Sequence, residues 1–369
     1  MKITRIEAVH VRLPQVLEVA DGTQDCLLVR IHTDDGISGL GEAVSCSYVA
    51  RAVIEAPRSA PFRHGLDAIA NGMDPLDHAA VLRALESGTA WYGPEGVVRH
   101  AIGAVDMALW DIRGKVEGVP VRKLLDSGAE DSLPCYASVY CPDSVDEVAA
   151  AARQYREQGY RAVKFGWGPI GADARLDEEL VAAAREALGP DALLMIDVGR
   201  VWDVDTALER VERLRPYDLH WLEEPLQPRD FAGYAKLTSC SSIAIAAGEA
   251  LTAMADFERL ISQGHIDVVQ PDLGHAGGIT GGQKIAALAR QSGARALPHA
   301  FGTGVVLAAS ANWAAANSSP TEHTRSTSPL AQDLVQHAIR FENGLLQLSQ
   351  DAGLGVELDE EVVSRYRLS

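Results

Sequence analysis

Six polar residues, Lys164, Asp197, Glu223, Glu249, Asp272 and His299, each stand at the end of a short apolar run: RAVKFG, LLMIDVG, LHWLEEP, IAIAAGE, IDVVQPD and RALPHAF. Asp197, Glu223 and Glu249 are an all-oxygen donor set suited to Mg2+, with its remaining octahedral positions left for water or substrate. Asp272 and His299 end the next two runs, where an acid can fix the tautomer of an imidazole and raise its basicity. A metal that binds a substrate carboxylate, beside a base at the neighbouring carbon, can remove an α-proton and stabilise the enediolate that forms.

Residues this far apart in the chain act together only if the ends of their runs converge. The runs are leucine-rich or β-branched and bounded by turn residues, and Ala/Leu/Glu/Arg segments of helical period separate them. One strand, one helix and their loops take about 25–30 residues, which matches the recurrence. The pattern predicts the α/β class, with parallel strands closing into a (β/α)8 barrel whose chemistry sits at the C-terminal strand ends. Adjacent Glu223 and Glu224 would point to opposite sides of a strand, so one of them faces the mouth.

LPCYASVY, from Leu133, reads as the first barrel strand, followed by the helix SVDEVAAAARQYREQ with Ser144 as its N-cap. After His299, GVVLAASANWAAANS reads as helix and SPTEHT as the last strand, which brings Glu322 or His323 to the mouth. Ahead of the barrel, residues 2–43 read as a three-stranded meander with a turn at Asp34-Asp35-Gly36 and a polar loop, PQVLEVADGTQ, between the first two strands. Val49–Ile54, Pro75–Glu86 and Glu95–Val116 read as helices. The expected division is an α+β capping domain over 1–128, a barrel over 129–340, and a tail over 341–369 that packs back on the cap.

The 369 residues, 47% hydrophobic and 23% charged, suit two domains around a large core. A net charge of −18 argues against nucleic acid and anionic membrane surfaces as partners, so an anionic substrate needs a local cationic centre. MKITRIEAVHVRL lacks an apolar signal core and no stretch reaches membrane-span length, so the expected location is cytoplasmic. The five cysteines show no CxxC pairing and read as free thiols.

AVDMALWDIRGKVEGVPVRKLL (Ala104–Leu125), the strand ends with WLEEP and AAGE, and IDVVQPDLGHAGGIT (Ile266–Thr280) occur here in an order that resembles the enolase superfamily, in its mandelate racemase and muconate-lactonizing group. The resemblance implies a modified barrel of (β/α)7β type with the N-terminal cap, one Mg2+ per subunit on Asp197, Glu223 and Glu249, and His299 as base with Asp272. It implies that Glu223 is the ligand and Glu224 a supporting residue, and that Lys164 contacts the substrate carboxylate. Relatives commonly carry a second base two positions after this lysine, where this chain has Gly166; many also have a polar residue at the position of Gly199. Glu322 would be the eighth-strand carboxyl, protonated through a raised pKa and donating a hydrogen bond to the substrate.

A racemase needs bases on opposite faces, so a one-base site fits dehydration unless Tyr140 or Arg161 substitutes. The resulting expectation is an acid-sugar dehydratase that converts an aldonate or aldarate, a small anionic substrate, into a 2-keto-3-deoxy acid. A racemase, epimerase or cycloisomerase working through the same enediolate is the alternative. The loop at Asp21–Thr23 and the side chains of Tyr48, Trp167, Arg200, Trp202 and His275 are candidate substrate contacts, under loops that could close over the site. Assembly into a homo-oligomer is expected from the resemblance. GHAGGITGG departs from the dinucleotide fingerprint GxGxxG and reads as a tight turn opening a helix. A non-catalytic barrel would leave the metal triad and the His–Asp pair without a reason.

Overall fold

Alternation along the first strands sends their side chains to two different cores. The structure, a computed structural model, describes residues 1–19, 21–336 and 339–368, so the expectations above that span Ala20, His337, Ala338 and Ser369 lie outside the described residues at those positions. Strands β1 (Ile3–Arg12), β2 (Asp25–Thr33) and β3 (Ser38–Ala43) form the antiparallel meander. Leu27, Val29 and Ile31 pack with the cap helices, whereas Cys26 and Leu28 face the barrel core. This is the period-2 pattern of a sheet buried on both faces.

Helices α1 (Ser47–Glu55), α2 (Leu66–Ala70), α3 (His78–Thr89), α4 (Val97–Glu117) and α5 (Val121–Leu125) complete the cap. The two five-residue helices, α2 and α5, are absent from the sequence expectation because fewer than two turns carry no readable period.

Eight parallel strands follow, interleaved with seven helices: β4 (Ser132–Tyr140), α6 (Val145–Glu157), β5 (Ala162–Gly166), α7 (Ala174–Leu188), β6 (Leu193–Asp197), α8 (Val204–Leu214), β7 (Leu219–Glu223), α9 (Phe231–Cys240), β8 (Ile245–Ala247), α10 (Met254–Ser262), β9 (Val268–Val269), α11 (Gly278–Ser292), β10 (Arg295–Ala296), α12 (Gly304–Ala316) and β11 (Thr321–Thr324). This is the (β/α)7β succession. Ser144 caps α6, its hydroxyl accepting from the Glu147 N–H and donating to the Glu147 carboxylate. Strand β11 pairs in parallel with β4 from Thr321↔Cys135 to Thr324↔Ser138. Between β10 and β11 the Ser319 hydroxyl donates to the Ala296 carbonyl at 2.9 Å.

Below the mouth the barrel is filled by Tyr136, Met195, Trp221, Ala246, Val268 and Leu297. Met195 and Trp221 lie two positions before Asp197 and Glu223, so the side-chain period of the strands puts filler and carboxylates on the same inward face.

The C-terminal segment contains α13 (Pro329–Gln332), β12 (Val335–Gln336), β13 (Arg340–Glu342), β14 (Leu345–Gln347), β15 (Glu357–Leu358) and α14 (Glu360–Tyr366). The β13–β14 hairpin extends the barrel sheet antiparallel to the start of β4. The later residues reach the cap: Leu354 N–H donates to Asp111 in α4, and Arg367 pairs with Glu7 in β1 at 2.7 Å. No helix among the described residues is long and apolar enough to cross a membrane.

Candidate active site

Strands β6, β7 and the loop after β8 bring Asp197, Glu223 and Glu249 together, with one carboxylate oxygen from each within 4.8 Å of the others. Asp197 and Glu223 are buried and their oxygens are oriented from outside, while the Glu249 side chain is 13% exposed at the edge of the cavity. Asp197 accepts from the Gly199 N–H at 2.9 Å and from the Trp167 indole at 3.1 Å. Glu223 Oε2 accepts from Trp221 at 2.9 Å and from Gln270 at 2.7 Å, while its Oε1 faces the Lys164 ammonium. Three close carboxylates, two of them held by outer donors, fit a hard divalent cation such as Mg2+. Burial pushes the Asp197 carboxyl up to about 6, with Lys164 opposing that rise and Glu249 adding to it.

His299 follows β10 and is joined to Asp272, after β9, by a backbone bridge. Its Nδ1 lies 2.6 Å from Asp272 Oδ2, and the other Asp272 oxygen accepts from the Gly274 N–H at 2.6 Å. The Nε2 nitrogen is then free to face the cavity, 3.2 Å from Glu249 Oε2 and 3.9 Å from Glu322 Oε2. Burial disfavours the imidazolium, yet Glu249, Glu322 and Asp272 together hold its pKa well above the ordinary histidine value.

Lys164, on β5, stands between two acids, with Nζ 2.9 Å from Glu322 Oε1 and hydrogen-bonded to Glu223. Burial works against its charge, but Glu223 and Glu322 overcome this and keep it an ammonium. Glu322 faces inward from β11, whereas His323 points outward and accepts from or donates to the Tyr160 hydroxyl at 2.7 Å. The neighbours of Glu322 favour its charged form over the expected protonated one. Burial favours the acid form, but Lys164, His299 and the Ala300 N–H at 2.6 Å bring the pKa down to about 2.

A cavity of about 180 Å³ opens over these groups, lined among others by Lys164, Asp197, Glu249, His299, Glu322 and Trp167. Gly22, from the loop at Asp21–Thr23, and Tyr140 also line it. The other candidate contacts lie elsewhere. Arg200 extends over the Trp167 ring and pairs with Glu224 at 3.4 Å. His275 bonds the Glu249 carbonyl at 2.7 Å and lies against the His100 ring, tilted by 34°. Trp202 is packing: it is 5% exposed and donates to the Gly171 carbonyl. Tyr48 is 55% exposed and meets the edge of His10. Arg161 precedes β5 and lines a separate cavity at the N-terminal end of the barrel, with Pro134 and Leu193, so it cannot stand in for a second base.

At Gly166 the missing base has a steric reason. A Cβ there would lie 2.8 Å from Asp197 Cβ, so any side chain would push against a member of the carboxylate triad. Glu224 has φ +45 and is buried beside the triad, accepting from the Gly248 N–H at 3.1 Å. Trp221 and Gln270 escape sequence reasoning, although each stands two positions before a site acid, Trp221 on the inward face of β7 and Gln270 just after β9.

Residues 2–126 match the model of the mandelate racemase / muconate lactonizing enzyme N-terminal domain, and residues 147–362 match the enolase C-terminal domain-like model. The chain is 31% identical to a D-galactarolactone cycloisomerase of Agrobacterium fabrum, with 93% of this chain and 91% of that one covered. It is 32% identical to an L-talarate/galactarate dehydratase of Salmonella typhimurium, over 91% of this chain and 81% of that one. A racemase from Streptomyces coelicolor A3(2), crystallised with bound magnesium, superposes with a TM-score of 0.87 at 28% identity, covering 99% of this chain and all of the other.

Proposed function

The chain belongs to the mandelate racemase / muconate lactonizing enzyme family of the enolase superfamily, and we propose that it is a Mg2+-dependent lyase acting on a sugar acid, an aldonate or aldarate. The observation that carries this reading is the His299–Asp272 pair beside the carboxylate triad, with the Lys164 ammonium in the same cavity. Asp197, Glu223 and Glu249 would hold the metal, whose positive charge would bind the substrate carboxylate and stabilise the enediolate.

Within that arrangement the neutral form of His299, favoured once a cation offsets the Glu249 charge that raises its pKa, would take the α-proton at Nε2. Asp272 keeps the proton on Nδ1 and offsets the imidazolium charge that develops. Lys164 presents its charge to the carboxylate end of the substrate, where negative charge accumulates. The β-carbon–oxygen bond then breaks, the hydroxyl leaves with a proton returned by His299, and the enol becomes a 2-keto-3-deoxy acid. The lack of room at Gly166 disfavours a racemase that needs a base on each face.

Similarity to a cycloisomerase favours a second reading with the same first step. If the β-oxygen belongs to a lactone or ether ring, its departure opens the ring and the product is an isomer, with no water lost. NMR of the protein with Mg2+ in D2O, against a panel of aldonic acids, aldaric acids and their lactones, separates the two. Loss of an α-proton signal with a dehydrated keto acid supports the lyase, a ring-opened isomer supports the cycloisomerase, and an accumulating epimer overturns both.

A further inference from the structure

Two departures from the family pattern, Gly166 and Gly199, border one contacting pair: Gly166 faces Asp197 and Gly199 faces the ring of Trp167. Trp167 follows β5 with φ +61, a left-handed conformation that is a true outlier for a bulky residue. Such strain persists where surrounding contacts over-determine it. Here the contacts converge on Asp197: the Trp167 backbone N–H donates to the Asp197 carbonyl at 3.2 Å, and its indole N–H donates to Asp197 Oδ2 at 3.1 Å.

The glycines make room for this double grip. At Gly166 a Cβ would sit 2.8 Å from Asp197 Cβ and 3.1 Å from Oδ2, displacing the carboxylate. At Gly199, which has φ +61, a Cβ would sit 3.3 Å from Cδ2 and Cε3 of Trp167, displacing the ring. The Gly199 N–H holds the second carboxylate oxygen, Oδ1, at 2.9 Å, and the Arg200 guanidinium covers the indole at 5.6 Å from its centroid. Each oxygen of Asp197 thus has one fixed donor and keeps lone-pair capacity for a cation.

We propose that Trp167 is a positioning residue that presets the Asp197 carboxylate for the divalent metal, and that Gly166 and Gly199 serve this brace. The inference rests on the metal reading given above, and it goes beyond that reading by assigning the metal's affinity in part to an indole on a strained loop. It also accounts for the base missing after Lys164: the space a longer side chain would need is filled by the braced carboxylate.

The test is calorimetric titration of the metal-stripped protein with Mg2+ alone, without substrate. Trp167→Phe keeps a ring and removes the N–H; Gly166→Ala keeps the indole and crowds Asp197 from the other side. Both variants are expected to bind Mg2+ about 10-fold more weakly, the order found when a donor to a metal ligand is removed. The melting temperature of Trp167→Phe in EDTA should match the wild type, which separates a loss of metal positioning from a general loss of packing. Wild-type affinity in Trp167→Phe overturns the brace, as does an affinity loss that only parallels a fall in melting temperature. Failure of the wild-type protein itself to bind Mg2+ overturns the metal reading and the brace together, whereas tight binding in all variants removes the brace alone.

Discussion

His299 Nδ1 lies 2.6 Å from Asp272 Oδ2, across a backbone bridge that ties the ends of two neighbouring barrel strands. Because Asp272 is fully buried and its other oxygen is held by the Gly274 N–H, the carboxylate has one orientation to offer the imidazole. Geometry rather than sequence proximity makes the pair: the residues are 27 positions apart.

Asp272→Asn keeps the shape of that pair and removes its charge. Turnover should fall by about 10²–10⁴-fold, the range for loss of a positioned acid–base group, while Mg2+ binding stays near that of the wild type. Steady-state rates paired with metal titration check this, and a variant with normal turnover would remove Asp272 from the mechanism.

Glu249→Gln replaces one triad oxygen by an amide. Metal affinity should fall by at least roughly 10–100-fold, since even donors behind a ligand have effects of that order, with the fold retained in EDTA. Calorimetry of Mg2+ binding reads it; unchanged affinity would argue for a barrel that uses these carboxylates structurally.

Lys164→Met leaves Glu223 and Glu322 facing each other without their shared cation. Removing one partner of a buried charge cluster costs about 3–5 kcal/mol, so the variant should unfold at clearly lower denaturant, and Mg2+ should restore part of the loss. Equilibrium unfolding with and without the ion tests both statements.

His323 gives a pH signature away from the metal. Burial pushes its imidazole down to about 3 from an ordinary 6.5, with Arg325 adding to the effect. Between those values the unfolded chain binds a proton that the folded chain refuses, so the contribution of neutral His323 to stability is whole above about pH 6.5 and is lost as pH falls toward 3. His323→Gln should therefore narrow its stability gap to the wild type as pH drops through that window. Chemical unfolding at a series of pH values measures it, and a gap independent of pH would show that His323 does not titrate there.

Recurrence of polar residues at the ends of apolar runs was enough to specify the barrel, the order of its strands and the six groups at its mouth, because strand period and βα spacing are local properties written along the chain. Ser144 as the cap of α6 was legible for the same reason. What only the tertiary structure decided is how those groups are paired. That Glu322 faces Lys164 and His299, that Gln270 orients Glu223, and that Trp167 grips Asp197 depend on contacts between residues distant in the chain. Trp167 and Trp202 show the limit. Both are aromatic residues in loops after barrel strands, yet one lines the cavity and the other is packed against Gly171. Loop dihedrals set the directions of these side chains, and no hydrophobic period records them.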